Sequence, residues 1–216
     1  PRYEVLFEII DRLDSTEVNK EGGCLEIGVH HGKFYFLLNS VIDKKYDSFV
    51  IDVFDDQTLN IDESGKGNLE IFKENLANFD IHKGLNTKII SGDSTDQQVI
   101  KLFDEKAGTL RFISIDGGHT AEHTVSDLTL ANKLISNEGV VILDDILNYL
   151  WLGVIEGTVS FLRSKPTLVP FAIGYNKLFM SKLSYHPYYL NAAKNSPMGA
   201  KVVNFFGYPV VALHAS

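Results

Sequence analysis

Three aspartates and one histidine carry the most chemically suggestive spacing in the chain: Asp116, Asp144, Asp145 and, three residues past the first of them, His119. All lie within RFISIDGGHTAEHTVSDLTLANKLISNEGVVILDDI, residues 111–146. Two carboxylates held ~4 Å apart repel by roughly 4 kcal/mol at an effective dielectric near 20. A cluster of them spreads into water, shares a proton or takes up a cation. Oxygen donors suit a hard divalent ion such as Mg²⁺, which keeps several waters of its own.

The secondary structure of this stretch would bring the three together. RFISI is a β-branched and aromatic run that breaks at Asp116-Gly117-Gly118. From Thr120 to Ser136, Val125, Leu128, Ala131, Leu134 and Ile135 share one face of a helix. Asn137-Glu138-Gly139 closes it, and VVIL runs as a second strand into Asp144-Asp145. Strand, helix and strand in this order make a βαβ unit with adjacent parallel strands. Asp116 and the Asp144-Asp145 pair then emerge at the carboxyl ends of neighbouring strands, where open α/β sheets bind ligands.

The rest of the chain repeats this rhythm. An amphipathic lead-in helix over residues 3–14 carries Leu6, Ile9, Ile10 and Leu13. CLEIGV reads as a first strand ending in the turn Gly28-Val29-His30-His31-Gly32. The next helix, Lys33 to Ile42, should turn Phe34, Leu37, Leu38 and Val41 inward. SFVIDVF is a second strand ending at Asp52, followed by the polar loop 55–68 and a helix bearing Leu69, Phe72, Leu76 and Phe79. TKIISGDS is a third strand with Asp93 and Ser94 at its end, and Val99, Ile100 and Phe103 mark the helix after it. After Asp145 comes a helix over 154–164, then LVPFAIG and KLFMS as a hairpin about Tyr175-Asn176. VVNFFGYPVVAL, near the end, is a strand or an edge segment. Five strand–helix alternations predict a doubly wound, mostly parallel α/β sheet with helices on both faces, seven strands in all, and antiparallel C-terminal strands.

Bulk properties narrow the function. At 216 residues, 44% hydrophobic and 22% charged, this is an ordinary globular composition, and one domain is expected. A net charge of −8 argues against nucleic acid as a partner. No apolar run is long enough for a membrane span. The single cysteine, Cys24, suits a reducing, cytoplasmic location. The chain opens on Pro1 rather than Met, as a piece of a longer protein would. A homodimer is the default expectation for assembly.

The first turn rules against a dinucleotide. Glu26-x-Gly28-x-x-x-Gly32 puts bulky His30 where G-x-G-x-x-G needs its second glycine, and Glu26 would repel phosphates. Instead, E-x-G-x-x-x-G after strand one, Asp52 after strand two, G-D-S after strand three and I-D-G-G-H after strand four resemble a class I S-adenosylmethionine-dependent methyltransferase. The resemblance runs in order over residues 21–181, with 1–20 as lead-in and 182–216 as a C-terminal addition to one domain, 1–216. It is strongest to the small metal-dependent O-methyltransferases of the macrocin and catechol types, which space one Asp and an acidic pair like Asp116 and Asp144-Asp145.

The resemblance implies S-adenosylmethionine as cofactor, bound by Glu26, Gly28, Gly32, Asp52, Asp93 and Ser94. Asp52 would take the ribose hydroxyls, and Asp93 and Ser94 would border the adenine, with Gln57 as a further adenosine contact. It implies Mg²⁺ or another hard divalent cation on Asp116, Asp144 and Asp145, and a small-molecule hydroxyl of sugar or natural-product type as substrate. His119 stands where the catechol type carries its base, and imidazole titrates near neutrality. The macrocin type has an acidic residue just before this position, where this chain has Gly118. A metal-independent enzyme using Asp116 or His119 as base, and a non-catalytic cofactor-binding protein, are the alternatives. His30 and His31 should diverge from the turn rather than share an ion. Tyr149, Trp151 and the aromatics from Tyr185 to Tyr189 are candidate walls of an acceptor pocket.

Overall fold

The computed structural model describes residues 11–14 and 18–214. Leu6, Ile9 and Ile10 of the expected lead-in helix lie outside them, whereas residues 11–14 are helical. Buried Arg111 donates to Asp14 at 2.6 Å and so ties this segment to the sheet.

Five strands alternate with helices: β1 (Gly23–Ile27), α1 (Lys33–Asn39), β2 (Ser48–Asp52), α2 (Leu69–Phe79), β3 (Thr87–Ser91), α3 (Gln97–Lys101), β4 (Leu110–Ile115), α4 (Ala121–Leu134), β5 (Ile135–Leu143) and α5 (Leu152–Arg163). Then come β6 (Leu168–Gly174), β7 (Lys177–Lys182), α6 (His186–Lys194), β8 (Gly199–Phe205) and β9 (Tyr208–Leu213). They form one sheet in the order β3-β2-β1-β4-β5-β7-β6-β9-β8. The first five strands run parallel, and β7 enters antiparallel between β5 and β6. Tyr175 and Asn176, both at positive φ, make the expected hairpin turn.

Among the described residues the sheet has nine strands rather than the seven expected. The tail folds into a second hairpin, β8–β9, whose β9 adds parallel to β6. Alternation along the strands fills both faces. Leu25, Ile27, Ile51 and Ile113 pack with α4 and α5 on one side, and Cys24, Val50 and Phe112 pack with α1, α2 and α6 on the other. The inward face of α1 differs from expectation. Tyr35, Leu38 and Asn39 are buried while Phe34, Leu37 and Val41 are only partly covered, and the helix ends at Asn39. Phe79, expected to face inward, is 70% exposed at the end of α2.

The register of the parallel strands sets the working edge. Gly28 donates its N–H to Ile51, Asp116 to Ile27, Asp144 to Ile115 and Gly92 to Asp52, each at 2.8–2.9 Å. These ladder bonds bring the ends of β1 to β5 level, so the residues after each strand open on one side. The sheet order reverses between β1 and β4, where a doubly wound fold leaves its crevice.

Candidate active site

A crevice of about 340 Å³ lies at this edge. Gly28 and His30 line it from the first turn, Asp52 and Gln57 from β2 and its loop, Gly92, Asp93 and Ser94 from β3, and Asp116, His119 and Asp145 from β4 and β5. The first turn is shaped by close backbone approach. Gly28 has φ 79°, and a Cβ there would sit 1.9 Å from the Asp116 carbonyl oxygen. His30 also takes a left-handed conformation, at φ 50°. Contrary to expectation, the His30 and His31 rings do not diverge; their centroids are 3.9 Å apart.

The predicted cofactor residues separate into two groups. Gly28, Asp52, Asp93 and Ser94 line the crevice, whereas Glu26 and Gly32 do not. Asp52 organises its surroundings by accepting the backbone N–H of His30 at 2.7 Å and of Phe54 at 2.6 Å. Asp93 accepts from the Thr95 backbone and hydroxyl, both at 2.8 Å, and lies 3.5 Å from His123 Nε2. Gly32 instead packs against the Phe36 ring. Glu26 is 3% exposed and sits behind the edge, accepting from Ser114 Oγ at 3.3 Å, with no hydrogen bond to its second oxygen among the described residues. Burial, then the Asp116 charge, pushes the Glu26 carboxyl well above its ordinary value, against the pull of Lys177.

The three predicted metal ligands also part company. One ligand atom each from Asp116, His119 and Asp145 comes within 4.8 Å of the others. Asp144, expected as the third ligand, forms an ion pair with Lys177, a lysine 3% exposed at the start of β7. The chain turns left-handed at Asp145, φ 59°, so two adjacent carboxylates serve different neighbours. Asn148 and Asn176 hold one Asp145 oxygen at 3.0 and 2.5 Å, and the other lies 2.9 Å from His119 Nε2.

His119 is held on every side. Its backbone N–H and its Nδ1 both lie 2.7 Å from Asp62 Oδ2, and Trp151 stacks on its ring at 4.5 Å. Burial lowers the imidazole pKa, but hydrogen bonds to Asp145 and Asp62 outweigh it and leave the pKa raised. Asp62 is held down to about 2: burial opposes this, but the bonds from Ser64 and His119 prevail. Asp116 lies 4.0 Å from His119 Nε2 with 41% of its side chain open to the crevice. Desolvation by the surrounding protein, then the Asp144 charge, push its carboxyl up to about 7.

Three participants escaped the sequence reading. Asp62 and Ser64 sit in a polar loop whose composition resembles any solvated loop, so no signal marked them. Lys177 did leave a trace, as a lysine directly before the apolar run Leu178-Phe179-Met180. Trp151 was expected as a wall of the pocket, and it does line the crevice.

Comparisons with known proteins agree with this architecture. The family model described as "Methyltransferase domain" matches residues 25–146, which hold every crevice residue named above except Trp151. "Uncharacterized protein R132" of Acanthamoeba polyphaga mimivirus is 29% identical over 150 residues, 69% of this chain, and the match spans 62% of that protein's length. CalS11, a TDP-rhamnose 3'-O-methyltransferase of calicheamicin biosynthesis, superposes with TM-score 0.59 at 14% identity, over 84% of this chain and 81% of that one. MycE methyltransferase from the mycinamycin pathway, solved with Mg, SAH and mycinamycin VI, gives 0.55 at 15% identity, over 81% of this chain and 48% of that one. A sheet of this order, a crevice at its switch point and a family match over more than half the chain lead to one assignment. The chain belongs to the methyltransferase domain family and has the class I S-adenosylmethionine-dependent methyltransferase fold.

Proposed function

We propose that the protein moves the methyl group of S-adenosylmethionine to a hydroxyl oxygen of a small molecule. One observation supports this reading: Asp52, Asp93 and Ser94, suited to a nucleoside, and Asp116, His119 and Asp145, suited to proton transfer, line the same crevice on opposite sides of the switch point. The acceptor oxygen attacks the sulfonium methyl in line, the carbon–sulfur bond breaks, and S-adenosylhomocysteine leaves. The protein must align donor and acceptor and receive the hydroxyl proton.

Asp62 takes the Nδ1 side of His119, which aims Nε2 at the gap between Asp116 and Asp145. The proton goes to Asp116, whose pKa near 7 suits a base at neutral pH, or to His119 Nε2 once that nitrogen has passed its own proton to Asp145. The donor set of two carboxylates and an imidazole fits a divalent cation, with water completing its shell. Asp116 and Asp145 would hold it, with His119 adjacent. A cation there would supply Lewis acidity to the acceptor hydroxyl.

A metal-independent enzyme is the second reading, favoured by the Lys177–Asp144 ion pair. An internal ammonium already compensates one of the three carboxylates. Calorimetry with S-adenosylmethionine, in EDTA and then in Mg²⁺, tests both. Binding in EDTA with no Mg²⁺ heat favours the second reading, and failure to bind the cofactor at all rejects both.

A further inference from the structure

With Asp116, His119 and Asp145 given to proton transfer and Asp52 to the ribose, one histidine of the crevice still has no role. His123, in the first turn of α4, meets Asp93 at the β3 end, and both line the crevice.

The hydrogen bonds around this pair fix what each atom can still do. Thr120 caps α4, its Oγ accepting the His123 backbone N–H at 3.2 Å, and the same oxygen lies 2.8 Å from His123 Nδ1. On the far side of the ring, Nε2 faces Asp93 Oδ1 at 3.5 Å. An ionised carboxylate only accepts, so a neutral imidazole here carries its proton on Nε2. Nδ1 is then the acceptor, and the Thr120 hydroxyl donates to it. Asp93 is divided in the same way. Its Oδ1 takes the Thr95 N–H and hydroxyl, both at 2.8 Å, besides facing His123. Its Oδ2 receives no hydrogen bond among the described residues, and 27% of the side chain is open. A charge-assisted bond serving the fold alone would close to about 2.8 Å, whereas this contact is loose. An N–H donor and a carboxylate acceptor thus stand side by side with bonding capacity to spare.

Adenine offers the complement. Its 6-amino group donates, and N1 beside it accepts; a 6-oxo purine shows the reverse order. We infer that His123 is a cofactor-specificity residue whose Nε2–H donates to N1 of the adenine, while Asp93 Oδ2 accepts the 6-amino N–H. This rests on the S-adenosylmethionine reading of the same crevice and adds a second point of contact that Asp93 alone would not supply. Thr120 acts behind His123 as a positioning residue, because its hydroxyl holds the tautomer that donates.

Calorimetry with S-adenosylhomocysteine and its 1-deaza and 7-deaza analogues tests the contact from the ligand and the protein together. In the unaltered protein the 1-deaza analogue, with C–H in place of N1, should bind roughly three- to tenfold more weakly than the parent. His123→Ala should weaken the parent by a similar factor and leave the 1-deaza analogue's affinity unchanged. The 7-deaza analogue should lose as much as the parent does. His123→Gln, which keeps an N–H donor, should recover part of the preference for N1. S-inosylhomocysteine, with its inverted edge, should bind about a hundredfold more weakly than the parent. Equal losses for the parent and the 1-deaza analogue in His123→Ala overturn the inference while the methyl-transfer reading stands. So does a 1-deaza analogue that binds the unaltered protein as tightly as the parent. Failure of S-adenosylhomocysteine itself to bind removes that reading and this proposal together.

Discussion

The front of the sheet edge and the layer just behind it treat charge differently. Behind, charges are matched within the fold: Lys177 answers Asp144 and lies near Glu26, and Ser114 donates to Glu26. In front, Asp116 keeps 41% of its side chain open on the crevice, beside the His119–Asp145 pair that also lines it. Two groups in the interior depart from this: Glu26 Oε2 and both buried oxygens of Asp127 lack a hydrogen bond of ordinary geometry among the described residues. The contrast teaches where to look for function. Charges satisfied within the fold maintain it, whereas charges left with spare bonding capacity beside a cavity await a ligand.

Removing the rear compensation should break the contrast most severely. Lys177→Met leaves buried Glu26 and half-buried Asp144 without their cation, and unfolding in urea should show a loss of about 3 kcal/mol. Asp127 offers the converse. Burial, reinforced by Asp93 and partly offset by Ser94, pushes its carboxyl up to about 7. Its folded pKa therefore lies above the unfolded one, so the native state binds the extra proton and loses stability as pH rises from about 4 through 7. Asp127→Asn should remove that slope and gain on the order of 2 kcal/mol at pH 8, less than the full linkage because the new amide needs partners. Urea titrations of both proteins at pH 5 and pH 8 measure it; an unchanged slope refutes the assignment.

Front-side changes should leave stability nearly intact and move binding instead. Asp52→Ala should weaken S-adenosylmethionine by tenfold or more, roughly 1.4 kcal/mol, as read by calorimetry. Asp62→Asn should have the smallest effect on the fold. His119 has a raised folded pKa, so its bonds stabilise the protein below the ordinary histidine value and cease to do so as pH rises through the folded one. Losing the Asp62 charge should lower the imidazole titration midpoint followed by NMR, with about 1 kcal/mol lost at pH 6 and less at pH 9. A midpoint that stays put would mean Asp145 alone sets it.

The difference between the two layers was only half visible in the sequence. The βαβ unit could be read because period-two and period-3.6 patterns fall in succession between glycine breaks, and that reading brings Asp116 and Asp145 to one edge. Which of two neighbouring aspartates faces the crevice is not a property of that unit. It depends on the left-handed backbone at Asp145 and on a lysine 33 positions past Asp144. Asp62 reaches His119 from 57 residues away, and such a contact leaves no periodicity. The tail shows why strand content is easier to read than strand count. Its β-branched residues announced strands, but the turn at Phe206-Gly207 and the parallel partner β6 are tertiary choices. Likewise, α1 is too short for its hydrophobic pattern to specify a face.

Lys177 comes from the closing hairpin, well after the aspartates it serves. During synthesis, the parallel half of the sheet leaves the ribosome first, bearing acids whose counter-ion has not yet been made. Those first five strands are thus electrostatically incomplete until β7 slides in beside β5.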